Sequence, residues 1–156
     1  MLRAVWFGLV AVVILASDQL IKNAVIASLN PQQSYNWLGN VVRLYLTYNN
    51  SAAFSMGWGI TWLFTLISAC AAVALVFFGL RTRSLGWAAL SGLALGGVLG
   101  NLSDRLFRAP GFPSGQVVDY IQIPFNFPIF NLADSAICVA AGITVLLVAR
   151  GSKIGG

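Results

Sequence analysis

The chain has 156 residues, of which 58% are apolar and only 8% are charged, and its mean hydropathy is +0.83. Soluble domains carry about 25% charged residues, so this composition excludes a soluble globular protein and predicts a single polytopic membrane domain over residues 1–156. Histidine and glutamate are absent, which excludes histidine-based triads and imidazole metal sites.

Four apolar stretches predict four membrane-spanning helices, so the predicted fold class is an all-α membrane protein. The first span covers about residues 4–28 and is interpreted as a retained anchor, because it lacks the paired small residues of a signal-peptide cleavage site. The second covers about residues 58–80, the third about 84–104 and the fourth about 127–149, with a tight turn at Arg81–Arg83 between the second and third.

Two further segments, about residues 30–56 and 106–126, predict a small β-like platform and a short loop on the outer side of the membrane. In Val42–Tyr48 apolar and more polar residues largely alternate, which is typical of a half-buried strand. The second segment is interrupted by prolines and glycines and cannot form a continuous helix.

The distribution of charge predicts the orientation in the membrane. Five of the nine basic residues crowd into short loops on one side, and the positive-inside rule makes that side cytoplasmic, with both termini in the cytoplasm. All four aspartates then lie at the outer face, and the basic residues form no stripe that would predict a nucleic-acid partner. The five basic residues are Arg3, Arg81, Arg83, Arg150 and Lys153.

Two of the four aspartates have basic partners close in sequence. A carboxylate at membrane depth is costly unless it is paired. Asp18 precedes Lys22 by one helical turn, and Asp104 is followed by the adjacent Arg105 and by Arg108 one turn later. We therefore interpret Asp18 and Asp104 as structural carboxylates that join helix ends.

The other two aspartates, Asp119 and Asp134, have no basic residue within one helical turn. Prolines between them allow the chain to double back, so that the two carboxyl groups could meet. Two such groups in a partly desolvated site share one proton, as an aspartic hydrolase requires: one activates water and the other donates a proton. The residues alone leave proton or ion transport and a structural pairing open as well.

Five short motifs occur in order along the chain. They are Asp18-Gln19-x-x-Lys22, Asn49-x-Ser51-Ala52-Ala53-Phe54, Gly100-Asn101-Leu102-x-Asp104-Arg105, Val117-Val118-Asp119 and Phe130-Asn131-Leu132-Ala133-Asp134. Together they resemble the sequence boxes of the bacterial lipoprotein signal peptidases, over nearly the whole chain. The resemblance implies a catalytic dyad of Asp119 and Asp134. One departure is Ser51, where the family usually has glycine.

The resemblance also implies the substrate and the surroundings of the dyad. The family removes signal peptides from prolipoproteins on the N-terminal side of a diacylglyceryl-modified cysteine, in the bacterial cytoplasmic membrane with the active site near the outer face. We expect no metal or cofactor, membrane lipids and the lipidated precursor as partners, and a monomer. The implied supporting residues are Asn49, Asn101, Arg105 and Asn131 near the site, and Asp18 and Lys22, which hold the first helix.

Three alternatives remain at this point. A carboxylate-based transporter or proton channel would need acids spread through the membrane depth and internal repeats. A structural membrane subunit would use its tryptophans as interfacial anchors and its asparagines as interhelical contacts. A serine–lysine hydrolase would have only Lys22 as its base on the outer side, with Ser17 or Ser51 as nucleophile.

Overall fold

A computed structural model describes residues 1–39, 41–50 and 60–156 of the chain. Over these residues the chain forms four helices, each long and apolar enough to cross a membrane, and three strands. The predicted fold class, four membrane-spanning helices with a small β platform, is therefore confirmed. In chain order the elements are α1 (Leu2–Ser28), β1 (Ser34–Leu38), β2 (Val42–Asn49), α2 (Thr61–Gly79), α3 (Leu85–Phe107), β3 (Val117–Gln122) and α4 (Leu132–Ala149).

The helices differ from the predicted spans mainly at their ends next to the sheet. α4 begins at Leu132, later than the predicted residue 127, because Phe130 pairs with Ile121 of β3 and Asn131 caps the helix. α3 continues beyond its predicted end at residue 104. The predicted start of the second span lies outside the described residues.

α3 is the central helix and packs against α1, α2 and α4. The small residues Gly92, Gly96 and Gly100, spaced four residues apart, form a ridge that allows this close approach. A Cβ atom on Gly96 would lie 2.7 Å from the carbonyl oxygen of Ala11 on α1, and one on Gly100 would lie 2.5 Å from Oδ2 of Asp18. Only glycine therefore lets α1 bring its acidic side chain against α3.

The three strands form an antiparallel sheet in the order β1-β2-β3. Alternation of apolar and polar residues predicted β2 but not β1, whose five residues are mostly exposed. β3 also lacks alternation, because its first four residues are all buried. The pairing sets Thr47 of β2 opposite Asp119 of β3, which fixes the position of Asp119 in the sheet.

The sheet is attached to the helices by its buried apolar face and by hydrogen bonds. Val25 of α1 packs with Leu46, Val118 and Tyr120 from β2 and β3. The backbone N–H of Val118 donates to Oδ2 of Asp104 on α3, at 3.1 Å. These contacts bring the middle of β3 next to the C-terminal end of α3 and the first turn of α4.

Candidate active site

Asp119 and Asp134 reach the same site from different elements. Asp119 lies in the middle of β3 and is only 2% exposed, and Asp134 lies in the first turn of α4. Asn131 contacts both: its Nδ2 donates to Oδ1 of Asp119 at 2.7 Å, and its backbone N–H donates to Oδ2 of Asp134 at 3.1 Å. The structure thus brings together the two carboxylates that have no basic residue nearby in sequence.

The start of α4 is held by a reciprocal cap. Oδ1 of Asn131 accepts a hydrogen bond from the backbone N–H of Asp134 at 2.9 Å, and the carboxylate of Asp134 accepts the backbone N–H of Asn131 in return. This is a capping box with aspartate in place of the usual glutamate or glutamine. It fixes Asp134 at the positive end of the helix dipole, where a carboxylate is stabilised.

Two more asparagines complete the contacts of the carboxylates. Asn49, at the end of β2, donates through Nδ2 to Oδ2 of Asp119 at 2.9 Å. Asn101 of α3 donates through Nδ2 to Oδ1 of Asp134 at 2.7 Å, and its Oδ1 accepts from Nδ2 of Asn131 at 3.1 Å. Within the described residues, each carboxylate is therefore bound by two N–H donors, and the amides of Asn101 and Asn131 connect the two sides.

The environment of β3 raises the pKa of both of its ionisable groups. Burial is the main cause that raises the pKa of Asp119 from 3.8 to about 6, and the nearby charge of Asp134 raises it further, against the opposing hydrogen bonds from Asn49 and Asn131. Burial likewise raises the pKa of Tyr120 to about 12. The Tyr120 hydroxyl accepts the backbone N–H of Leu132 at 3.3 Å, so this neutral side chain also supports the start of α4.

The raised pKa of Asp119 predicts that the protein loses stability as the pH rises. The folded state binds this proton more tightly than the unfolded state, so the contribution is complete below pH 3.8 and is lost as the pH rises to about 6. At about 1.36 kcal/mol per pKa unit, the loss is about 3 kcal/mol. Thermal unfolding in detergent over this pH range measures it. Asp119→Asn should lack this component, and an identical pH dependence in the two proteins would contradict the prediction.

A second, fully buried cluster lies beside the site. Nζ of Lys22 is 2.8 Å from Oδ2 of Asp18 and 2.8 Å from Oδ2 of Asp104, and all three side chains are inaccessible to solvent. Nε of Arg108 is 2.6 Å from Oδ1 of Asp104. The predicted Asp18–Lys22 and Asp104–Arg108 pairs are present. The prediction that Arg105 also pairs with Asp104 is wrong, because Lys22 from α1 is the second basic partner of Asp104.

Arg105 instead lies near the two candidate catalytic carboxylates. The charge that acts on it most strongly is that of Asp134, followed by those of Asp119 and Asp104. One of its terminal nitrogens donates to the backbone oxygen of Asn101 at 3.4 Å. Its Nε is buried and has no hydrogen-bond partner among residues 1–39, 41–50 and 60–156. A positive charge with an unused donor therefore stands beside the carboxylates.

Sequence analysis overlooked two residues of the site region, Gln19 and Tyr120. Gln19 donates through Nε2 to Oδ2 of Asp18 at 3.2 Å and to Oδ1 of Asp104 at 3.1 Å, which links the two carboxylates of the buried cluster. Its place in the Asp18-Gln19-x-x-Lys22 motif was the available signal. Ser51, with the rest of its motif after Asn50, lies outside the described residues.

The arrangement is suited to acid–base chemistry. One carboxyl group is buried and protonates near pH 6, and the other is less buried and lies at a helix N-terminus. A buried carboxyl group with a raised pKa beside a second carboxyl group is typical of a general acid–base site. In the described part of the chain, no three cysteine or acidic side chains converge as a metal-binding cluster would require.

Comparison with known proteins gives one consistent result. Residues 10–150 match the family model described as signal peptidase (SPase) II. The chain is 44% identical over 149 residues to the lipoprotein signal peptidase of Leifsonia xyli subsp. xyli, covering 96% of this chain and 69% of that protein. It is 43% identical to the lipoprotein signal peptidase of Rhodococcus jostii, covering 96% and 75%. A bacterial membrane enzyme solved by the in meso method at 1.9 Å superposes with a TM-score of 0.82, at 26% identity over 92% of each chain.

Proposed function

The chain belongs to the signal peptidase II family, a family of bacterial membrane proteases, and from that premise we propose that Asp119 and Asp134 form its catalytic dyad. The proposed reaction is hydrolysis of diacylglyceryl-modified prolipoproteins on the N-terminal side of the lipidated cysteine. The observation that carries the proposal is the bridge through Asn131, which binds both carboxylates within 3.1 Å.

The two aspartates take different roles. Asp134 is the ionised base that removes a proton from the attacking water, since it lies at the N-terminus of α4 and accepts two N–H donors. Asp119 holds the shared proton and donates it to the carbonyl oxygen or to the leaving nitrogen. Its burial and its pKa of about 6 support this assignment.

The charges around the site favour one shared proton. In the buried cluster, Lys22 and Arg108 balance Asp18 and Asp104. The remaining cation near the dyad is Arg105. A dyad with one proton carries a single negative charge, which Arg105 offsets. The Nε of Arg105, which has no hydrogen-bond partner in the described part of the chain, is available to bind a peptide carbonyl of the substrate.

The proposed orientation has the dyad near the outer face of the cytoplasmic membrane and both termini in the cytoplasm. The basic residues of the α2–α3 turn and of both chain ends support it through the positive-inside rule. A lipid-anchored precursor presents its scissile bond at the membrane boundary, and Asn49 and Asn101 help to orient the reacting groups. Residues of the platform bind the extended peptide by strand-like pairing.

The proposed substrate can be tested with two peptides that differ in one group. Purified protein in detergent is incubated with a prolipoprotein peptide whose cysteine carries diacylglycerol, and with the same peptide unlipidated. We expect cleavage of the lipidated peptide alone, directly before the cysteine, measured by mass spectrometry. Equal cleavage of both peptides would mean that the protein does not require the diacylglyceryl group on its substrate. Cleavage of neither, under conditions where the protein is monodisperse, would contradict the proposed function.

A further inference from the structure

The buried ammonium group of Lys22 makes a third contact that its role as an ion-pair partner does not require. Besides Asp18 and Asp104, its Nζ donates to Oδ1 of Asn101 at 3.0 Å. An ammonium group has three N–H donors, and here each donor has one acceptor. One of the three leads directly to the dyad, because Asn101 donates to Asp134.

The contact with Lys22, together with the second donor from Nδ2 of Asn131, fixes which way the Asn101 amide faces. An ammonium group can only donate, so it holds the amide oxygen of Asn101 toward itself. The NH₂ group of the same amide must then face the opposite side, where it donates to Oδ1 of Asp134 at 2.7 Å. A reversed amide would direct its oxygen at the carboxylate of Asp134 and its NH₂ group at the ammonium group, and both contacts would be repulsive.

We propose that Lys22 is a positioning residue of the active site, which acts through the amide of Asn101 to keep a hydrogen-bond donor on Asp134. The inference rests on the proposed dyad and adds to it a residue of α1 that does not touch the reacting groups. It gives a role to the third contact of this fully buried lysine, beyond its ion pairs with Asp18 and Asp104. The Asn101 donor stabilises the carboxylate form of Asp134 and so favours release of the proton of the dyad.

The other charged groups near the dyad come from three elements. Asp104 and Arg105 lie on α3, Arg108 directly follows it, Asp18 lies on α1 and the titratable Tyr120 on β3, while α2 carries no charged residue. The charge of Lys22 also acts directly on Asp119, in the direction that favours its ionised form. Loss of the charge of Lys22 and loss of its contact with Asn101 therefore move the dyad in the same direction, toward tighter binding of its proton.

The test compares two variants that differ only in the ability to donate a hydrogen bond at position 22. Removing Lys22 alone would leave an unpaired buried carboxylate, so both variants also carry Asp18→Asn, which keeps the cluster neutral. Lys22→Met cannot donate, whereas Lys22→Gln is uncharged and can still donate to Asn101. Folding is checked by gel filtration in detergent, and activity is measured as the pH profile of kcat/KM with the lipidated peptide.

We expect the Asp18→Asn/Lys22→Met protein to lose about 10- to 100-fold in kcat with little change in KM. We also expect the basic limb of its kcat/KM profile to move up by about one pH unit, a tenfold tighter hold on the proton. The Asp18→Asn/Lys22→Gln protein should keep most of the wild-type kcat and show a smaller shift. Equal behaviour of the two variants, or an unmoved basic limb in the methionine variant, would overturn the proposal.

A second measurement keeps the inference testable without catalysis. The pH range over which thermal stability is lost reports the proton affinity of Asp119, and its upper end lies at about pH 6 in the wild type. This upper end should lie at a higher pH in the methionine variant than in the glutamine variant. If the wild type cleaves no lipidated peptide, the proposed function fails and this shift still decides the role of Lys22. If the wild type cleaves but neither readout separates the two variants, only the role of Lys22 fails.

Discussion

Asp119→Asn and Asp134→Asn are each expected to lower kcat for the lipidated peptide by roughly 100- to 10,000-fold, the usual contribution of a positioned acid or base. Asparagine fills nearly the same volume but can neither take a proton from water nor release one to the leaving group. The fold and the apolar surfaces remain, so the variants should still bind the lipidated peptide. Single-turnover cleavage and equilibrium binding of the same peptide, in the same detergent, separate the two effects.

The double variant gives a sharper form of this prediction. Two groups that share one proton act as a unit, so removing both should cost little more than removing either one. Arg83→Gln is the control, because it removes an exposed charge from the opposite end of the helices. Wild-type turnover in either single variant would exclude the dyad. Independent, additive losses would mean that the two carboxylates do not exchange a common proton.

The sequence predicts the four helices because each apolar stretch is long enough to cross a membrane, a property that local composition determines. It predicts β2 from alternation, but β1 carries no such pattern and β3 is buried on both faces. The start of α4 depends on Asn131 as its cap and on the pairing of Phe130 with Ile121. A hydropathy pattern reports neither of these contacts, which explains why the predicted fourth span begins too early.

In the candidate site, too, contacts within one helix could be predicted from the sequence, whereas contacts between helices could not. The Asp18–Lys22 and Asp104–Arg108 pairs follow from the helical repeat, because both partners lie on one helix. The contact between Lys22 and Asp104 joins two helices, and its distance depends on the glycines that let α1 approach α3. Tertiary packing therefore decides the partner of Asp104, whereas the charge that acts most strongly on the adjacent Arg105 is that of Asp134.

Chemistry provides a reason to reject the transporter or proton channel that the residues alone left open. All four acidic side chains lie in the half of the helices next to the sheet, or in the sheet itself. The opposite half of the helical region contains no acid that could carry a proton onward. The proposed proton transfer between Asp119 and Asp134 therefore uses acidic groups at one end of the helices only, which fits hydrolysis better than proton transport along the helices.

Asn131→Ala is expected to cause the largest combined loss of stability and activity, because this side chain serves both functions. It caps α4 through Oδ1 and donates through Nδ2 to Asp119, to the backbone oxygen of Val118 and to Asn101. Loss of the cap costs about 1 kcal/mol, and the buried acceptors left without a donor add to that cost. With Asp119 and Asp134 no longer held together, we expect kcat to fall about 100-fold or more.

Asn131→Ser separates the two functions, since serine caps helices well but cannot reach Asp119 with an amide. It should unfold at a higher temperature than the alanine variant, because it keeps the stabilisation that the helix cap provides. It should nevertheless lose as much activity as the alanine variant. Ser84→Ala is the matched control: Oγ of Ser84 accepts the backbone N–H of Trp87 at 3.2 Å and caps α3 away from the site. It should lose about 1 kcal/mol of stability and keep its activity. Full activity in the Asn131→Ser protein would mean that the bridge between the carboxylates is not needed for cleavage.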